Sequence, residues 1–519
     1  MDTLTIFLSI ILFFTITMNY ITLIGKKSSM EIVDDMGIGY NLGNSFDCFV
    51  MDIKDINRIN TTNDLITLKG NPIPTKKLFY FLKRSGFKTI RFPITWFNHL
   101  DDFGNVSLEW MSRIKEVVDW ILKEKLYCII NIYNDANYGE WLWEGKGIKK
   151  YKKLWEQIAN EFKNYDELLI FESISNFYIY DNGEYVFETL FSLNQAFVDI
   201  VRASGGNNYD RLLLISGAGN DIDLTFKKEY QLPIDPANKL AVCINYYIPY
   251  EFTLLEYFEW PYLDENGFEH IFSTPKTWGS DIEYNQMIVN FELMKSNFLD
   301  KGIPIIIGEI SVLTENEKEI YSIREFLYSI FSMAADYKGL MACLWDSSNK
   351  IFGDYNYFNR ENYTWYDGKI KDIFKKISKG KYIKPKDYFI TTNNISSYSL
   401  DIEGSISIII GTRKVVNIIF NIKTFVPFNE DFIFYIEGYN KEGEFITFLV
   451  DKKYSKKQYD GSYTFTVDIS NKEFEEQIYI DKSFGYGLAV MNYLIIQYQE
   501  NFCSIDNHAY KTDISKFIY

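Results

Sequence analysis

Two charged residues of this 519-residue chain stand where apolar runs end: Glu309 follows Ile305-Ile306-Ile307-Gly308, and Arg91 follows Thr89-Ile90. A carboxylate held ionised beside a guanidinium can act as a nucleophile. The same pairing can equally be a structural ion pair, which perturbs a carboxylate just as strongly. A third run, Leu169 to Ile174, carries Glu172 inside it and ends in Ser175-Asn176-Phe177, with no carboxylate at its end. If that run is a strand, Glu172 points the same way as Asn176 but lies about 13 Å deeper, at roughly 3.3 Å per residue. A reaction needing two carboxyl groups at one mouth is therefore one short. Asp135 and Asp181, in loops nearby, are the substitutes to weigh against their plainer reading as solvated loop aspartates.

Metal and redox chemistry find no support. Cys48, Cys128, Cys243, Cys343 and Cys503 show no C-x-x-C spacing, and the three histidines, His99, His270 and His508, form no cluster with them. Cys128, Cys243 and Cys343 fall in apolar runs, where cysteine behaves as a small hydrophobe. Neither a metal nor a cofactor is expected. With 54 basic against 70 acidic residues the net charge is −16, so a phosphate-binding surface is excluded as a general property and nucleic acid is a poor partner.

The elements that would hold these residues alternate from about Glu31 to Phe374. Short apolar runs near Ile38–Leu42, Thr89–Pro93, Tyr127–Ile132, Leu168–Ile174, Leu212–Ser216, Leu240–Tyr246, Ile303–Gly308 and Met341–Trp345 read as eight strands. Helical patterns such as Met111–Glu124 and Leu190–Ser204 separate them, the latter stopped by Gly205-Gly206. Eight strand–helix units predict a closed (β/α)8 TIM barrel, an α/β fold that collects its active site at the C-terminal ends of the strands. The barrel is expected over 31–375, with a lysine-rich linker at 376–387. Beyond it, segments such as Val416–Ile422, Phe432–Ile436, Tyr463–Val467 and Tyr493–Tyr498 alternate polar and apolar residues, which predicts an all-β sandwich domain over 388–519. Asn440-Lys441-Glu442-Gly443 and Tyr459-Asp460-Gly461-Ser462 read as its hairpin turns. All ten tryptophans precede residue 366, so the sandwich lacks a tryptophan platform; a buttress for the barrel or a tyrosine-based sugar site are its two readings.

Residues 1–30 read as a signal peptide or an N-terminal anchor. Thr3 to Gly25 carries no charge, but Asp2 replaces the usual basic start and no A-x-A site follows. Threonines and Asn19 dilute the apolar run, and Lys26-Lys27 come after it. Entry to the secretory route is the expectation, with membrane anchorage through residues 3–25 as the alternative. The sequons at Asn60, Asn105, Asn362 and Asn394 agree with that route.

The strand ends carry a resemblance. Gly39-Tyr40-Asn41-Leu42-Gly43-Asn44-Ser45, Phe87 to Trp96, Ile307-Gly308-Glu309 and Leu344-Trp345-Asp346, in that order at successive strand ends, together resemble glycoside hydrolase family 5, in particular its cellulase-like endoglucanases. Asn194 to Val198 and Gly205-Gly206-Asn207-Asn208 look like the family's fourth helix and the turn before its fifth strand. The resemblance implies a retaining mechanism, in which two carboxyl groups about 5–5.5 Å apart flank the scissile bond. Glu309 then matches the nucleophile, Arg91 the arginine that orients it, Tyr247 a tyrosine that hydrogen-bonds it, and Trp345 the platform beneath the sugar. The implied partner is a β-glucan or related plant polysaccharide.

The departures from that pattern are systematic. Where the family has Asn-Glu-Pro after strand four, this chain has Ser175, Asn176 and Phe177, so Asn176 falls on the proton donor. Tyr133-Asn134 replace a His-His pair and Asn245 replaces the histidine of His-x-Tyr. His99, within Trp96-Phe97-Asn98-His99, reads as structural. Three functions follow as expectations: an impaired, glucan-binding relative; an active glycosidase with a substitute acid such as Asp135 or Asp181; or a non-catalytic structural or protein-binding barrel whose cleft has filled in.

Overall fold

The computed structural model describes residues 27–498 except 51–60, 134, 136–146, 179, 182–183, 256–258, 264–268, 274, 280, 315–317, 349–354, 383–397, 400–405, 412–414, 425–432, 441–442, 458–462, 473 and 483–488. The N-terminal apolar segment, Asn134 and the sequons at Asn60 and Asn394 lie outside the described residues.

Eight parallel strands close into a barrel: β1 (Gly39–Leu42), β2 (Thr89–Phe92), β3 (Tyr127–Tyr133), β4 (Leu169–Ser175), β5 (Leu213–Ser216), β6 (Leu240–Asn245), β7 (Ile305–Ile310) and β8 (Leu340–Asp346). Each pairs with its sequence neighbours, and β8 returns to β1 through Gly39 opposite Cys343 and Asn41 opposite Trp345. Every expected strand is present, displaced at its ends by at most two residues. Parallel strands buried on both faces must be apolar throughout, and β3, β4 and β8 are buried along their whole lengths.

The bottom of the barrel is filled by Ile129, Ile170, Leu214, Cys243, Ile306 and Cys343. Helix α1 (Ser29–Met36) presses Ile32, Val33 and Met36 against the same cluster, its first turn fixed by a capping box between Ser28 and Glu31. Fully burying a side chain of this size contributes about 1.5–3 kcal/mol, so this end of the barrel is built for stability. Cys48, Cys128, Cys243 and Cys343 are all buried free thiols.

The charged work is done at the other end. Four non-glycine residues there adopt left-handed backbone conformations just past strand ends: Asn44 (φ 54°), Asn176 (φ 54°), Asn220 (φ 52°) and Ser348 (φ 54°). Asparagine tolerates this region far better than most residues because its short amide bonds locally.

The chain divides into two compact units, and all eight barrel strands lie in the first. The second comprises Ile248–Lys295, Val312–Asp336 and Lys381–Tyr519. Within it, strands labelled here β9 (Tyr398–Ser399), β10 (Ile406–Gly411), β11 (Val415–Thr424), β12 (Phe434–Asn440), β13 (Phe445–Val450), β14 (Ser455–Lys457), β15 (Tyr463–Asp468), β16 (Phe474–Lys482) and β17 (Ala489–Tyr498) form two antiparallel sheets. Their orders are β9-β17-β11-β15-β14 and β10-β16-β12-β13. Phe420 and Phe465 of the first sheet meet Phe434 of the second at ring-centroid distances of 4.7 and 5.2 Å, the core contact of a sandwich. Gly443, at φ 76°, donates its N–H to the Asn440 carbonyl, closing the expected hairpin between β12 and β13. The second expected turn, at 459–462, lies outside the described residues, though β14 and β15 on either side pair antiparallel as a hairpin requires. A final barrel-side helix runs Gly368–Ile377, into the first residues of the expected linker.

Candidate active site

Arg91 is the hub of the mouth. Its guanidinium, fully buried on β2, donates from Nε and Nη2 to the two oxygens of Glu172 at 2.7 Å each. Nη2 also reaches Ser175 Oγ at 2.7 Å, and Nη1 reaches Asn41 Oδ1 and Glu309 Oε1 at 3.0 Å each. One cation therefore serves two buried carboxylates. Burial works against its charge, but Glu172 and then Glu309 outweigh that and hold it well above the ordinary arginine range. The planar fork can do this because its five donors leave in fixed directions.

Glu172, read from the sequence as a carboxylate too deep to help, is instead the main partner of Arg91. It also accepts from Asn131 Nδ2 at 3.1 Å. No signal in the sequence distinguished this pairing from the expected Arg91–Glu309 one, because both carboxylates lie on strands facing the same interior.

Glu309 is placed by an irregularity. The register between β7 and β6 slips between Ile307 and Glu309, and that between β7 and β8 slips between Ile307 and Ile310. A bulge of this kind re-aims one side chain. Gly308 makes it possible: a Cβ there would stand 2.6 Å from Cys243 Sγ and 3.3 Å from Arg91 Nε. The Glu309 side chain is only 6% exposed. Burial pushes its carboxyl above the ordinary range, while Arg91 and then Tyr133 pull the other way. Tyr247 donates to Oε2 across 3.5 Å. Burial, followed by the charge of Glu309, keeps the phenols of Tyr133 and Tyr247 protonated, well above the usual tyrosine value.

Asn176 lies just past β4. Its Oδ1 accepts from Asn245 Nδ2 at 3.1 Å, and its own N–H donates to Asn220 Oδ1 at 2.8 Å. Asn220 in turn donates to the Cys243 carbonyl at 3.1 Å. Asn245 Oδ1 is buried with no partner, so the amide pair leaves one acceptor unmet. Phe177 is 2% exposed and packs inward. Asn220 was not singled out from the sequence; Gly217-Ala218-Gly219-Asn220 offered only a turn signal.

Trp345, on β8, is 8% exposed, and its indole leans over Gly43, where a Cβ would meet it at 2.8 Å. Its backbone carbonyl accepts from Ser311 Oγ at 2.9 Å. The next residue, Asp346, is fixed by Tyr40 and by the N–H of Ser348. Arg360 completes a second buried cluster, absent from the sequence reading. Its Nη1 donates to the Gly43 carbonyl at 2.7 Å and to Ser45 Oγ at 3.1 Å, and its Nε to Tyr40 Oη at 3.1 Å. This arginine fastens the loop after β8 to the loop after β1.

The two substitute acids fare differently. Asp135 is fully buried, and its oxygens accept the N–H groups of Trp96 at 3.0 and 3.2 Å and of Phe97 at 2.7 Å. It caps the turn Phe97–His99 after β2 and faces backbone donors, correcting its reading as a solvated loop residue. Replacing it with alanine is expected to lower stability by about 1–3 kcal/mol, the cost of orphaning buried donors, readable as a shifted urea midpoint. Asp181 belongs to a two-residue hairpin, Tyr180–Asp181 with Glu184–Tyr185, whose side chains lie outside the described residues. His99 stacks on Trp110 at 3.6 Å between centroids, and burial lowers its pKa to about 4, so it is a neutral structural residue.

The chain is thus a parallel eight-stranded barrel in which a buried arginine of β2 and a glutamate of β7 meet at the mouth. Residues 51–351 match the family described as Cellulase (glycosyl hydrolase family 5). Endoglucanase A of Clostridium longisporum is 31% identical over 362 residues, covering 67% of this chain and 65% of that protein. Among solved structures, a GH5-4 broad specificity endoglucanase from an uncultured bovine rumen ciliate is 48% identical with a TM-score of 0.64, over 68% of this chain and 99% of that one. A family 5 lichenase from Caldicellulosiruptor sp. F32, solved as a mutant with cellotetraose, is 26% identical with a TM-score of 0.58, over 68% and 95%. The match spans more than half of the sequence and all eight barrel strands but the first, and the barrel that carries Arg91 and Glu309 is the shared part: the chain belongs to glycosyl hydrolase family 5.

Proposed function

We propose that this chain is a β-glucan-directed member of the family whose hydrolytic step is impaired because Asn176 occupies the place of the proton donor. The observation that carries the reading is the pair of amides at the end of β4 and β6. Asn176 and Asn245 hold one another at 3.1 Å where acid chemistry needs a carboxyl group and a titratable partner. An amide has no proton to give at any working pH. Glu309, by contrast, retains the surroundings of a nucleophile: a guanidinium at 3.0 Å and a phenol across 3.5 Å.

The names of the relatives support a β-1,4-linked or mixed-linkage glucan as the ligand class: two are endoglucanases and one is a lichenase holding cellotetraose. Secretion is part of the same proposal, supported by the uncharged segment Thr3–Gly25 and by a polymeric substrate that cannot enter a cell. The assignment of 31–375 to the barrel, 376–387 to the linker and 388–519 to an accessory sandwich is proposed with it.

Loss of general acid catalysis costs about 10²–10⁴ in rate, or roughly 3–5 kcal/mol of barrier. The deficit is greatest for a sugar leaving group, which departs poorly without a proton. The test is reducing-end release from soluble β-1,4-glucan, mixed-linkage glucan, xylan and mannan, comparing the protein with Glu309→Gln. The expected result is no release above the variant, with retardation of the protein by glucan in affinity electrophoresis. Ordinary release that vanishes in Glu309→Gln would sink the proposal and direct attention to Asp181 as the acid.

A further inference from the structure

Glu309 is 5% and Trp345 8% exposed, and one side chain lies against both. Tyr133 ends β3 at a register slip between Asn131 and Tyr133, a bulge that turns its ring across the mouth. The ring lies nearly parallel to Trp345, with centroids 5.7 Å apart and planes inclined by 15°. At an ordinary contact gap of about 3.5–4 Å, this is an offset stack displaced sideways by roughly 4 Å. It therefore covers one side of the indole face. The guanidinium of Arg91 sits 5.8 Å from the same ring, on the side of Glu309. Tyr133 is itself 5% exposed, so it fills the space between platform and carboxylate.

We infer that Tyr133 is a built-in latch over the nucleophile: its ring occupies the Trp345 face on which a sugar would lie, and its hydroxyl is directed at Glu309. Glu309 already receives Arg91 Nη1 on Oε1 and Tyr247 on Oε2. An oxygen that accepts one hydrogen bond keeps a lone pair with which to attack, so the obstacle is the ring: the sugar must displace an aromatic side chain that already lies against the platform. The inference rests on the proposed reading only in taking Glu309 as the nucleophile; it is independent of what Asn176 does.

The test uses a probe that needs no acid, 2,4-dinitrophenyl 2-deoxy-2-fluoro-β-cellobioside. The Glu309 carboxylate attacks the anomeric carbon, the bond to the aryl oxygen breaks, and its electron pair leaves as dinitrophenolate without protonation. The result is an ester on Glu309, seen as the mass of one fluorocellobiosyl group on the intact protein. Rates against probe concentration are measured for the full chain, Tyr133→His and Tyr133→Phe, with Glu309→Gln as the unlabelled control. Tyr133→His is expected to label about two- to twelvefold faster, the scale on which one aromatic contact of about 0.5–1.5 kcal/mol shifts an equilibrium, mainly through tighter probe binding. Tyr133→Phe keeps the ring and loses the hydroxyl, so it is expected to fall between. Equal rates in the parent and Tyr133→His, with both variants melting as the parent does, would overturn the latch. Absence of labelling in all three would overturn it too, since a latch needs a nucleophile to cover. Glucan hydrolysis by the parent would instead count against the missing acid, which the probe does not require.

Discussion

Asn176→Glu is expected to raise hydrolysis of soluble β-1,4-glucan by about 10²–10⁴, measured in the Tyr133→His background so that the cleft is open. A carboxyl group at 176 would meet Asn245 Nδ2, which now lies 3.1 Å from the asparagine oxygen it would replace. That donor favours the ionised form and so depresses the new group's pKa. Adding Asn245→Ala, which removes that donor, should therefore give a further gain and move the basic limb of the pH profile upward. The gain should depend on the leaving group: large for glucan, small for a dinitrophenyl glycoside in its first step, because phenolate departs unaided. Local cost is expected as well. Residue 176 sits at φ 54°, a conformation asparagine accepts and glutamate resists by about 1–3 kcal/mol. The asparagine is thus easier on the backbone and useless for proton transfer, a trade of activity against stability. If kcat/KM on glucan stays at the parent level while the aryl substrate still labels Glu309, Asn176 is not the reason for the deficit.

The barrel was legible because burial on both faces leaves little choice of residue. Runs such as Tyr127-Cys128-Ile129-Ile130 and Ile305-Ile306-Ile307 permit little but a central strand, and the strand ends fell within two residues of expectation. The sandwich was legible for a different reason: alternation along Phe434–Asn440 is realised as alternating burial. The positions of Arg91, Glu309, Asn176, Asn245, Tyr247 and Trp345 at one mouth followed once eight strands were counted, since strand ends of a closed barrel converge.

What could not be read were the facts that depend on register slips and side-chain direction. Nothing in Tyr127–Tyr133 announces a slip after Asn131, and without it Tyr133 passes for a substrate contact. Arg360 is another case. It lies in Phe358-Asn359-Arg360-Glu361, which resembles any polar loop, yet it is 3% exposed and grips Gly43 and Ser45 on the far side of the sequence. Asp135 looked solvated for the same reason, because capping of Trp96 and Phe97 is a contact across 38 or 39 positions. Pattern reveals which residues are inside; it does not reveal which polar residues meet there.

The largest stability effect is expected at Arg91, and the three members of its cluster should rank in a fixed order. Arg91→Met leaves Glu172 and Glu309 buried without the cation both now use, and a cost of at least about 3–5 kcal/mol follows. Glu172→Gln weakens the two 2.7 Å bonds to Arg91 but leaves Glu309 to balance the charge, so its cost should be smaller. Glu309→Gln should be neutral or stabilising at pH 7. Burial raises the carboxyl's pKa in the folded state, so the folded chain holds its proton more tightly than the unfolded one. Stability then falls as pH rises from the unfolded value, about 4.3, through the folded one, and the glutamine removes that loss. All ten tryptophans precede residue 366, and eight of them lie in the unit that holds the barrel strands, so their fluorescence during urea unfolding reports chiefly that unit. A midpoint for Arg91→Met no lower than that for Glu309→Gln would mean that the guanidinium is not what keeps two carboxylates in the interior. The order Arg91→Met, Glu172→Gln, Glu309→Gln, from least to most stable, would instead identify Glu309 as the one member of the cluster whose charge the fold tolerates at a cost, the mark of a group retained for chemistry.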